Sequence, residues 1–410
     1  MKYKSLYKLY FTPDSGKKIY NERFNNENTY HFNFKINESE AFLCLNMELS
    51  NKIDKINELN NEVYSFLIKN LSNYNEIYNW LFNHSLVEEI VLTNAIEGVV
   101  STRKEINALI DKSHPKKYLR FYGLVNKYKK ILDNYSFVAI KNSKDLRNIY
   151  DQILLQDIEN SDKKNIPDGK IFRKDPVSII SSTKTIHQGS YPEEKIIDNI
   201  DEALNILNNE ELPFLIRVAI FHYLMGYIHP FYDGNGRISR YISSYYLARN
   251  LNPFIALRLS VSCKRQQKKY YDGFKYTNDI RNKGDLTFFV LNFFEIFIDG
   301  IEELLSDLND IYNQYNFYKN VISSITNIND IQYEILHTAL LARLFKIDCN
   351  YDLLVEHTKK TRKTVNKYLN PLIEEQYLQE GKSGNHKYFL FNEEFFSQLV
   401  ESQILYEVPK

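Results

Sequence analysis

The sequence predicts a mainly α-helical protein with a small β-hairpin in its central part. Apolar residues recur at helical spacing over most of the chain, for example from Leu43 to Leu59. One central stretch, from Ile171 to Ile186, instead concentrates Val and Ile near Pro176 and favours a hairpin. The helical pattern from 192 to 250 is interrupted once, at 229–236, so we expect a loop between two helices there.

The N-terminal part is expected to comprise an arm and a helical region. Residues 1–35 are polar and aromatic, contain Pro13 and Gly16, and predict an extended arm. Helical periodicity follows to about residue 110 and continues over 116–158. We place the limits of this first part at 1–90.

Two further domains are expected after it. A polar break at 160–170 precedes the hairpin candidate, and helices are expected over 261–277 and 286–318, so we place a core domain at 91–318. The last part, 329–410, has three helical segments and then two strand-like segments around a Gly-rich turn. That order is the pattern of a winged-helix domain.

Composition and charge indicate a cytoplasmic protein without membrane contact. Basic and acidic residues each number 52, so the net charge is zero and a general affinity for polyanions is not expected. The three cysteines lie far apart without metal-ligand spacing, which fits a reducing compartment. The apolar runs 214–228 and 286–298 contain charged or polar residues and are too short to span a membrane.

The loop from His229 to Arg240, HPFYDGNGRISR, combines residue types that suit a polyphosphate. Gly234 and Gly236 allow positive φ and let backbone N–H groups come close to a ligand. Just before a helix, such amides form an anion hole to which the helix dipole adds. Arg237 and Arg240 are three residues apart on the first turn of that helix, and two guanidinium groups there suit a polyphosphate.

Two other side chains of the loop suit a reaction at phosphorus. Asp233 can hold Mg²⁺, which prefers a carboxylate together with substrate phosphates. His229 can accept a proton near pH 7. A hydroxyl that attacks phosphorus would lose its proton to this base, while the cation and the arginines offset the developing charge. A tight turn beside a core histidine is the alternative, but a turn needs neither the arginines nor the acid.

This loop resembles the signature of the Fic (Fido) family, His-Pro-Phe-x-Asp/Glu-Gly-Asn-Gly-Arg-x-x-Arg, and matches it at every specified position. The resemblance covers about residues 90–315. It implies a Fic-type helical core that transfers AMP from ATP to Ser, Thr or Tyr hydroxyls of a target protein. It also implies that His229 is the general base and Asp233 the Mg²⁺ ligand. The phosphate-binding residues would be Gly234, Asn235, Gly236 and Arg237 for the α and β phosphates and Arg240 for the γ phosphate.

Residues 93–98, TNAIEG, resemble the inhibitory motif of the same family, Ser/Thr-x-x-x-Glu-Gly/Asn, in the subclass that carries it N-terminal to the core. Thr93 and Glu97 are four residues apart and share a helix face. The resemblance implies that Glu97 pairs with Arg240, so that ATP binds with its α phosphate misaligned. A displacement of about 1 Å can cost about 100-fold in rate. A solvated glutamate before a helix-ending glycine is the alternative.

The resemblance implies two supporting sites. The hairpin candidate, 172–187, falls where the family has its target-binding flap, with Val177 and Ile179 as clamp residues for an extended target segment. A surface hairpin that covers the core is the alternative. Tyr271 and Asn278 correspond to the adenine pocket, although the stretch after Asn278 is longer than the family pattern. An aromatic residue that belongs to the core is the alternative for Tyr271.

Three functional hypotheses follow from the sequence. The first is a Mg²⁺-dependent protein adenylyltransferase that Glu97 auto-inhibits. The second is a mainly de-AMPylating enzyme, or one that uses another nucleotide, because the phosphate loop alone does not separate these. The third is a DNA-binding regulator that uses the core as a nucleotide sensor, against which the intact His229 argues.

The sequence does not decide which kind of molecule the C-terminal part binds. Basic residues lie on or before its third helix, where a winged helix would meet DNA phosphates, but nearby glutamates and the zero net charge disfavour DNA binding. Protein recognition or dimerisation is an equal alternative, and a homodimer is compatible with the family resemblance.

Overall fold

The fold is mainly helical. The computed structural model describes residues 2–11, 15–71, 75–110, 112, 115, 117–132, 137–181, 184–383 and 386–399. In these ranges the strands form three separate two-stranded antiparallel sheets, and the rest of the regular structure is helix. The predicted mainly helical class is thus confirmed. No helix in the described ranges is long and apolar enough to cross a membrane.

The chain forms two compact units. The first comprises residues 1–66 and 85–304, and the second comprises 67–84 and 305–410. The domain boundaries expected from the sequence, at residues 90, 318 and 329, remain predictions. Three long helices have residues assigned to each unit: α3 (Met47–Leu71), α4 (Asn75–Ile96) and α15 (Thr287–Ser323).

The N-terminal residues are packed and are not the extended arm that the sequence suggested. They form helices α1 (Leu6–Leu9) and α2 (Ser15–Phe24) and a hairpin of strands β1 (Thr29–Ile36) and β2 (Ser39–Cys44). The buried carboxylate of Asp285 accepts a hydrogen bond from Tyr3 and pairs with Arg23, which attaches this region to the rest of the unit. The prediction was wrong because polar residues alternate with buried aromatic ones in β1, and this alternation marks a half-buried strand.

Two helices of the first unit flank the loop that the sequence singled out: α10 (Phe214–Ile228) and α11 (Asn235–Asn250). The helical pattern over 192–250 has a second interruption at 209–213, which was not predicted from the sequence. Helix α9 ends before this segment, and Pro213 is the N-cap of α10. The other helices of the first unit are α5 (Arg103–Ile110), α6 (Tyr122–Lys129), α7 (Ser143–Tyr150), α8 (Gln156–Ser161), α9 (Glu193–Asn208), α12 (Pro253–Ala256), α13 (Leu259–Arg265) and α14 (Gln267–Asn278).

The central hairpin is present where the sequence predicted it. Strands β3 (Ser178–Ser181) and β4 (Lys184–Gln188) are antiparallel, and Ile179 lies opposite His187. The pairing continues one step beyond the strands, because the Gly189 N–H donates to the Val177 carbonyl over 3.0 Å.

The second unit contains the helices and strands expected near the C-terminus. These are α16 (Asp330–Leu344), α17 (Tyr351–Thr358), α18 (Arg362–Glu374), β5 (Leu378–Ser383) and β6 (His386–Phe391). The first part of α4 packs within this unit, where the Trp80 ring lies 5.7 Å from the ring of Phe345 and 5.5 Å from that of His357.

Candidate active site

The candidate site is the loop between α10 and α11, and its backbone requires two left-handed residues. His229 ends α10 with a φ of 53°, and Gly234 precedes α11 with a φ of 86°. A Cβ on Gly234 would also lie only 2.6 Å from a methyl group of Leu154. The position therefore needs a glycine for both its conformation and its space.

The loop is held in shape by its own side chains. The Asn235 amide donates to the Phe231 carbonyl over 2.8 Å and accepts from its N–H over 2.9 Å. The Phe231 ring stacks on Tyr150 at 3.7 Å, and the Tyr150 hydroxyl donates to the Asp233 carbonyl over 3.1 Å. Because the side chain of Asn235 is used inside the loop, its predicted phosphate contact would come from its backbone N–H at the start of α11.

Asp233 and Arg237 form an ion pair at the mouth of the loop. Asp233 Oδ1 lies 3.1 Å from Arg237 Nη2 and accepts from the Gly234 N–H over 2.5 Å. The described residues contain no cluster of three or more acidic, histidine or cysteine side chains that could hold a metal ion. A single half-exposed carboxylate fits Mg²⁺ only if substrate phosphates supply other ligands, which is how this cation is usually held.

His229 is half-buried and has an unusually weak basicity. Burial lowers its pKa to about 4, and the Gly226 carbonyl and the negative charge of Glu97 partly oppose this shift. The imidazole is therefore neutral at pH 7 and free to accept a proton. The structure thus gives the predicted base the protonation state that the role requires.

Arg173 is a site residue that the sequence analysis missed. It is fully buried, and its guanidinium donates to the carbonyls of His229 (2.9 Å), Ser190 (2.8 Å) and Asp175 (2.6 Å). It thereby joins the segments on both sides of the hairpin to the base. The only signal in the sequence is an arginine next to the β-prone stretch, which is too common a feature to single out.

Arg240 lies buried against the end of α4. Its Nη2 is 2.8 Å from Glu97 Oε1 and donates to the Thr93 carbonyl over 3.0 Å, while its Nε donates to the Thr93 hydroxyl over 2.8 Å. Burial lowers the pKa of this guanidinium, but the charge of Glu97, the neighbouring Tyr270 and the hydrogen bond to Glu97 together raise it above its ordinary value. The structure therefore brings Arg240 onto Thr93 and Glu97, which precede it by 147 and 143 residues.

The Glu97 carboxylate also lies over the first turn of α11. A Cβ added to Gly236 would overlap this carboxylate and would lie 2.9 Å from Arg240 Nη1. This is the end of a helix at which unpaired N–H groups and the dipole attract an anion. A side-chain carboxylate thus stands where the sequence predicts phosphate binding.

Glu89 is a second residue that the sequence analysis missed. It lies on α4, on the helix face that also carries Thr93 and leads to Glu97, and it is fully buried. Its carboxylate accepts hydrogen bonds from the Ser260 N–H (2.8 Å) and hydroxyl (2.6 Å) at the start of α13. Burial raises its pKa to about 7, against these hydrogen bonds. Its contacts fix α4 beside the loop and so position the residues that meet Arg240.

The residues predicted to bind adenine lie in different surroundings. Tyr271 is half-exposed, and its hydroxyl donates to the Ile96 carbonyl over 3.4 Å, next to Glu97. The Asn278 side chain accepts from the Tyr223 hydroxyl over 2.7 Å. An adenine contact through Tyr271 is compatible with this position, whereas the amide oxygen of Asn278 is already engaged. Both assignments remain predictions.

The flap residues also remain predictions. Val177 is half-buried beside the first strand of the hairpin, and Ile179 is described only by its backbone pairing with His187. The hairpin is attached to the base through Arg173, which is the arrangement that a target-positioning element would need.

Comparisons with known proteins find relatives over the part of the chain that contains this loop. Residues 141–247 match the Fic/DOC family model. Protein adenylyltransferase Fic of Drosophila virilis is 33% identical over 95 residues, which are 23% of this chain and 18% of that protein. The Drosophila erecta protein of the same name is 38% identical over 87 residues, 20% of this chain and 16% of that protein. The matched part therefore spans less than a fifth of either relative.

A solved structure shares the fold over most of the chain. The crystal structure of a Fic family protein from Desulfovibrio desulfuricans G20 superposes with a TM-score of 0.52 at 20% sequence identity and covers 85% of this chain and 97% of that one. The family match lies on the loop, the hairpin and the helices around them. The central part of the chain, residues 141–247, is therefore similar to the Fic/DOC family.

Proposed function

We propose that this chain is a Mg²⁺-dependent protein adenylyltransferase that Glu97 holds in a restrained state. The observation that carries the proposal is the position of the Glu97 carboxylate, 2.8 Å from Arg240 and over the start of α11. A carboxylate there competes with an anionic substrate for the same donors. The name of the two Drosophila relatives, protein adenylyltransferase Fic, supports the reaction class.

The reaction needs a base beside an anion-binding helix end, and the loop offers both. The attacking hydroxyl oxygen forms a bond to the α phosphorus of ATP, its proton passes to neutral His229, and pyrophosphate leaves as the bond to the bridging oxygen breaks. Backbone N–H groups at Gly234, Asn235 and Gly236 and the Arg237 guanidinium would hold the α and β phosphates. Mg²⁺, held by Asp233 and the phosphates, would offset negative charge on the leaving group.

The hairpin β3–β4 is the proposed element that positions the target. An extended target segment that adds to an exposed strand gains backbone hydrogen bonds, which place its hydroxyl in a fixed register. Val177 and Ile179 would hold this segment. Arg173 donates to carbonyls on both sides of the hairpin and to that of His229, and would thereby fix the distance between target and base.

The restraint would act through Arg240. While Glu97 and Thr93 occupy this guanidinium, it is not free to bind the γ phosphate, and ATP would bind with its α phosphate displaced from the line of attack. Removal of the carboxylate would return the guanidinium to the substrate.

The C-terminal part is proposed to be a winged-helix domain. Its three helices and the hairpin β5–β6 follow the expected order. The basic residues of α18 are exposed, and Arg362 lies over the Tyr351 ring at 4.5 Å. We do not favour DNA as its partner, because the chain has no net positive charge.

The test is a labelling experiment with α-labelled ATP and Mg²⁺. Wild type, Glu97→Gly and Glu97→Gly/His229→Ala are incubated alone, and protein-bound label is measured. Strong self-labelling is expected for Glu97→Gly only. If that variant is as silent as the double mutant, the transferase proposal is wrong, and if wild type labels equally well, the restraint is wrong. ATP labelled on the γ phosphate is the control and should leave no label.

A further inference from the structure

A cavity of about 520 Å³ lies in the first compact unit, at the ends of α10 and α11 that are remote from the phosphate loop. It is bordered by the C-terminal ends of α9 and α11 and by the N-terminal end of α10. Arg217, which lines it, precedes His229 by 12 residues on α10, a distance of about 18 Å along the helix. The cavity is therefore separate from the candidate active site.

The walls of this cavity carry an excess of positive charge. Three basic side chains, Lys141, Arg217 and Arg249, line it together with one acidic side chain, Glu210. Among the described residues, none of the three basic groups forms an ion pair. A helix end carries about half a charge, so the two C-terminal ends and the one N-terminal end add about −0.5. The walls therefore keep a net charge of about +1.5.

The guanidinium of Arg217 is only partly satisfied within the protein. Its side chain is half-buried, and its Nη1 donates to the Leu207 carbonyl over 3.3 Å. Its Nε is buried and has no hydrogen-bond partner among the described residues. Burial lowers the pKa of this guanidinium and the charge of Arg249 lowers it further, while Glu210 partly opposes both effects. A desolvated cation beside a second cation is stabilised by an anion that accepts hydrogen bonds from both.

The rest of the wall offers nonpolar surface. Leu207, Phe214 and Val218 line the cavity. The Phe137 ring lies under the Arg249 guanidinium at 4.7 Å and also lines it. The volume is far larger than the roughly 30 Å³ that a water molecule occupies and falls within the range of about 300–1,000 Å³ that is usual for small-molecule pockets. These walls therefore suit a ligand that has a nonpolar body as well as an anionic group.

We propose that this cavity binds a small molecule that carries a phosphate monoester on a nonpolar or aromatic body. Such a phosphate has a charge of about −1.5 to −2 at pH 7 and three acceptor oxygens, which matches the excess charge of the walls. Arg217 and Arg249 would bind the phosphate through their N–H groups, and Lys141 would add a third positive charge. The site shares no residue with the proposed transferase reaction, so the two proposals are independent.

The test is calorimetric titration of the full chain with phenyl phosphate, inorganic phosphate and phenol. Phenyl phosphate has both features of the proposed ligand, and each of the others has one. We expect phenyl phosphate to bind at one site, inorganic phosphate to bind about tenfold more weakly, and phenol not to bind. The variant Lys141→Gln/Arg249→Gln should bind phenyl phosphate about 100-fold more weakly, since it removes two charge-assisted contacts worth about tenfold each. Both positions are exposed, so the variant should fold normally.

Two control variants separate this cavity from other charged surfaces. Lys144→Gln/Lys195→Gln removes the same charge from exposed positions of α7 and α9 that lie outside the cavity lining, and it should keep the affinity of wild type. Arg237→Gln removes a proposed phosphate contact of the loop at the other end of α11, and it should also keep that affinity.

Loss of affinity in Lys141→Gln/Arg249→Gln, with both controls unchanged, supports the site. Equal binding by wild type and this variant overturns it, and so does the absence of phenyl phosphate binding to wild type. Loss of binding in Arg237→Gln alone would place the ligand in the phosphate loop, which also overturns the assignment. Equal affinities for phenyl phosphate and inorganic phosphate overturn the nonpolar part of the proposed ligand.

Discussion

Replacing Glu97 by glycine is expected to lower the free energy of unfolding and to raise AMP transfer. At 2.8 Å and an effective dielectric constant of about 20, the attraction between Glu97 and Arg240 is about 6 kcal/mol before desolvation is subtracted. Removing one partner of a buried pair typically costs about 3–5 kcal/mol, since the remaining charge stays buried. Because the Glu97 side chain is 29% exposed while that of Arg240 is 1% exposed, we expect the lower end of this range.

The assay is thermal unfolding with and without ATP. A loss of about 3 kcal/mol lowers the Tm of a domain of this size by about 6 °C. ATP should restore more of this loss in Glu97→Gly than it adds to wild type, because its phosphates supply the charge that Arg240 lacks. AMP transfer should rise about 100-fold, the cost of a misplacement of about 1 Å.

The control is a glutamate of α4, the helix that ends just before Glu97. Glu88 is paired with Arg103, whose side chain is half-exposed, so Glu88→Gln should cost less than about 1 kcal/mol and leave transfer unchanged. Equal unfolding temperatures and equal labelling for wild type and Glu97→Gly would refute the reasoning, and so would an equal effect of Glu88→Gln.

Three further predictions concern the same site. Thr93→Val keeps the shape of the side chain but leaves the Nε of Arg240 without its acceptor, so we expect a loss of about 1–3 kcal/mol in urea unfolding and partial labelling with α-labelled ATP. Wild-type stability in this variant would contradict the hydrogen bond. Arg173→Met, made in the Glu97→Gly background, should lower kcat for AMP transfer at least tenfold with little change in KM for ATP. The reason is that the substitution removes the hydrogen bonds that connect His229 to the segment after the hairpin. A change confined to KM would contradict this role. Since burial lowers the pKa of His229 to about 4 and the charge of Glu97 raises it, Glu97→Gly should keep its kcat/KM down to about pH 5 and lose it only as the base protonates near pH 4. A limb near pH 6.5, the value of a free histidine, would contradict the burial.

The phosphate loop could be predicted from the sequence because its chemistry is local. His229, Asp233, Gly234 and Arg237 lie within nine residues, and each has a geometric role that follows from its type and spacing. The same holds for the pattern of Thr93 and Glu97 on one helix face. Short-range spacing on a helix is fixed by helix geometry alone, so no tertiary information is needed.

The buried polar residues could not be predicted in this way. Arg173 meets Ser190, 17 residues away, and Glu89 meets Ser260, 171 residues away, and nothing in their local sequence distinguishes them from exposed charges. The N-terminal hairpin was missed for a related reason. Its strand alternation is short, and its anchoring to Asp285 joins positions that are 262 and 282 residues apart.

By itself, the sequence determined the helical class and the loop between two helices, and it predicted a base, an anion-binding turn and a competing acid there, because all of these depend on contacts within a few residues. Only the tertiary structure decided that the Glu97 carboxylate lies on Arg240 and over Gly236, and that burial lowers the pKa of His229 to about 4. These features depend on burial and on contacts between distant segments, which the order of residues does not fix without the packed fold.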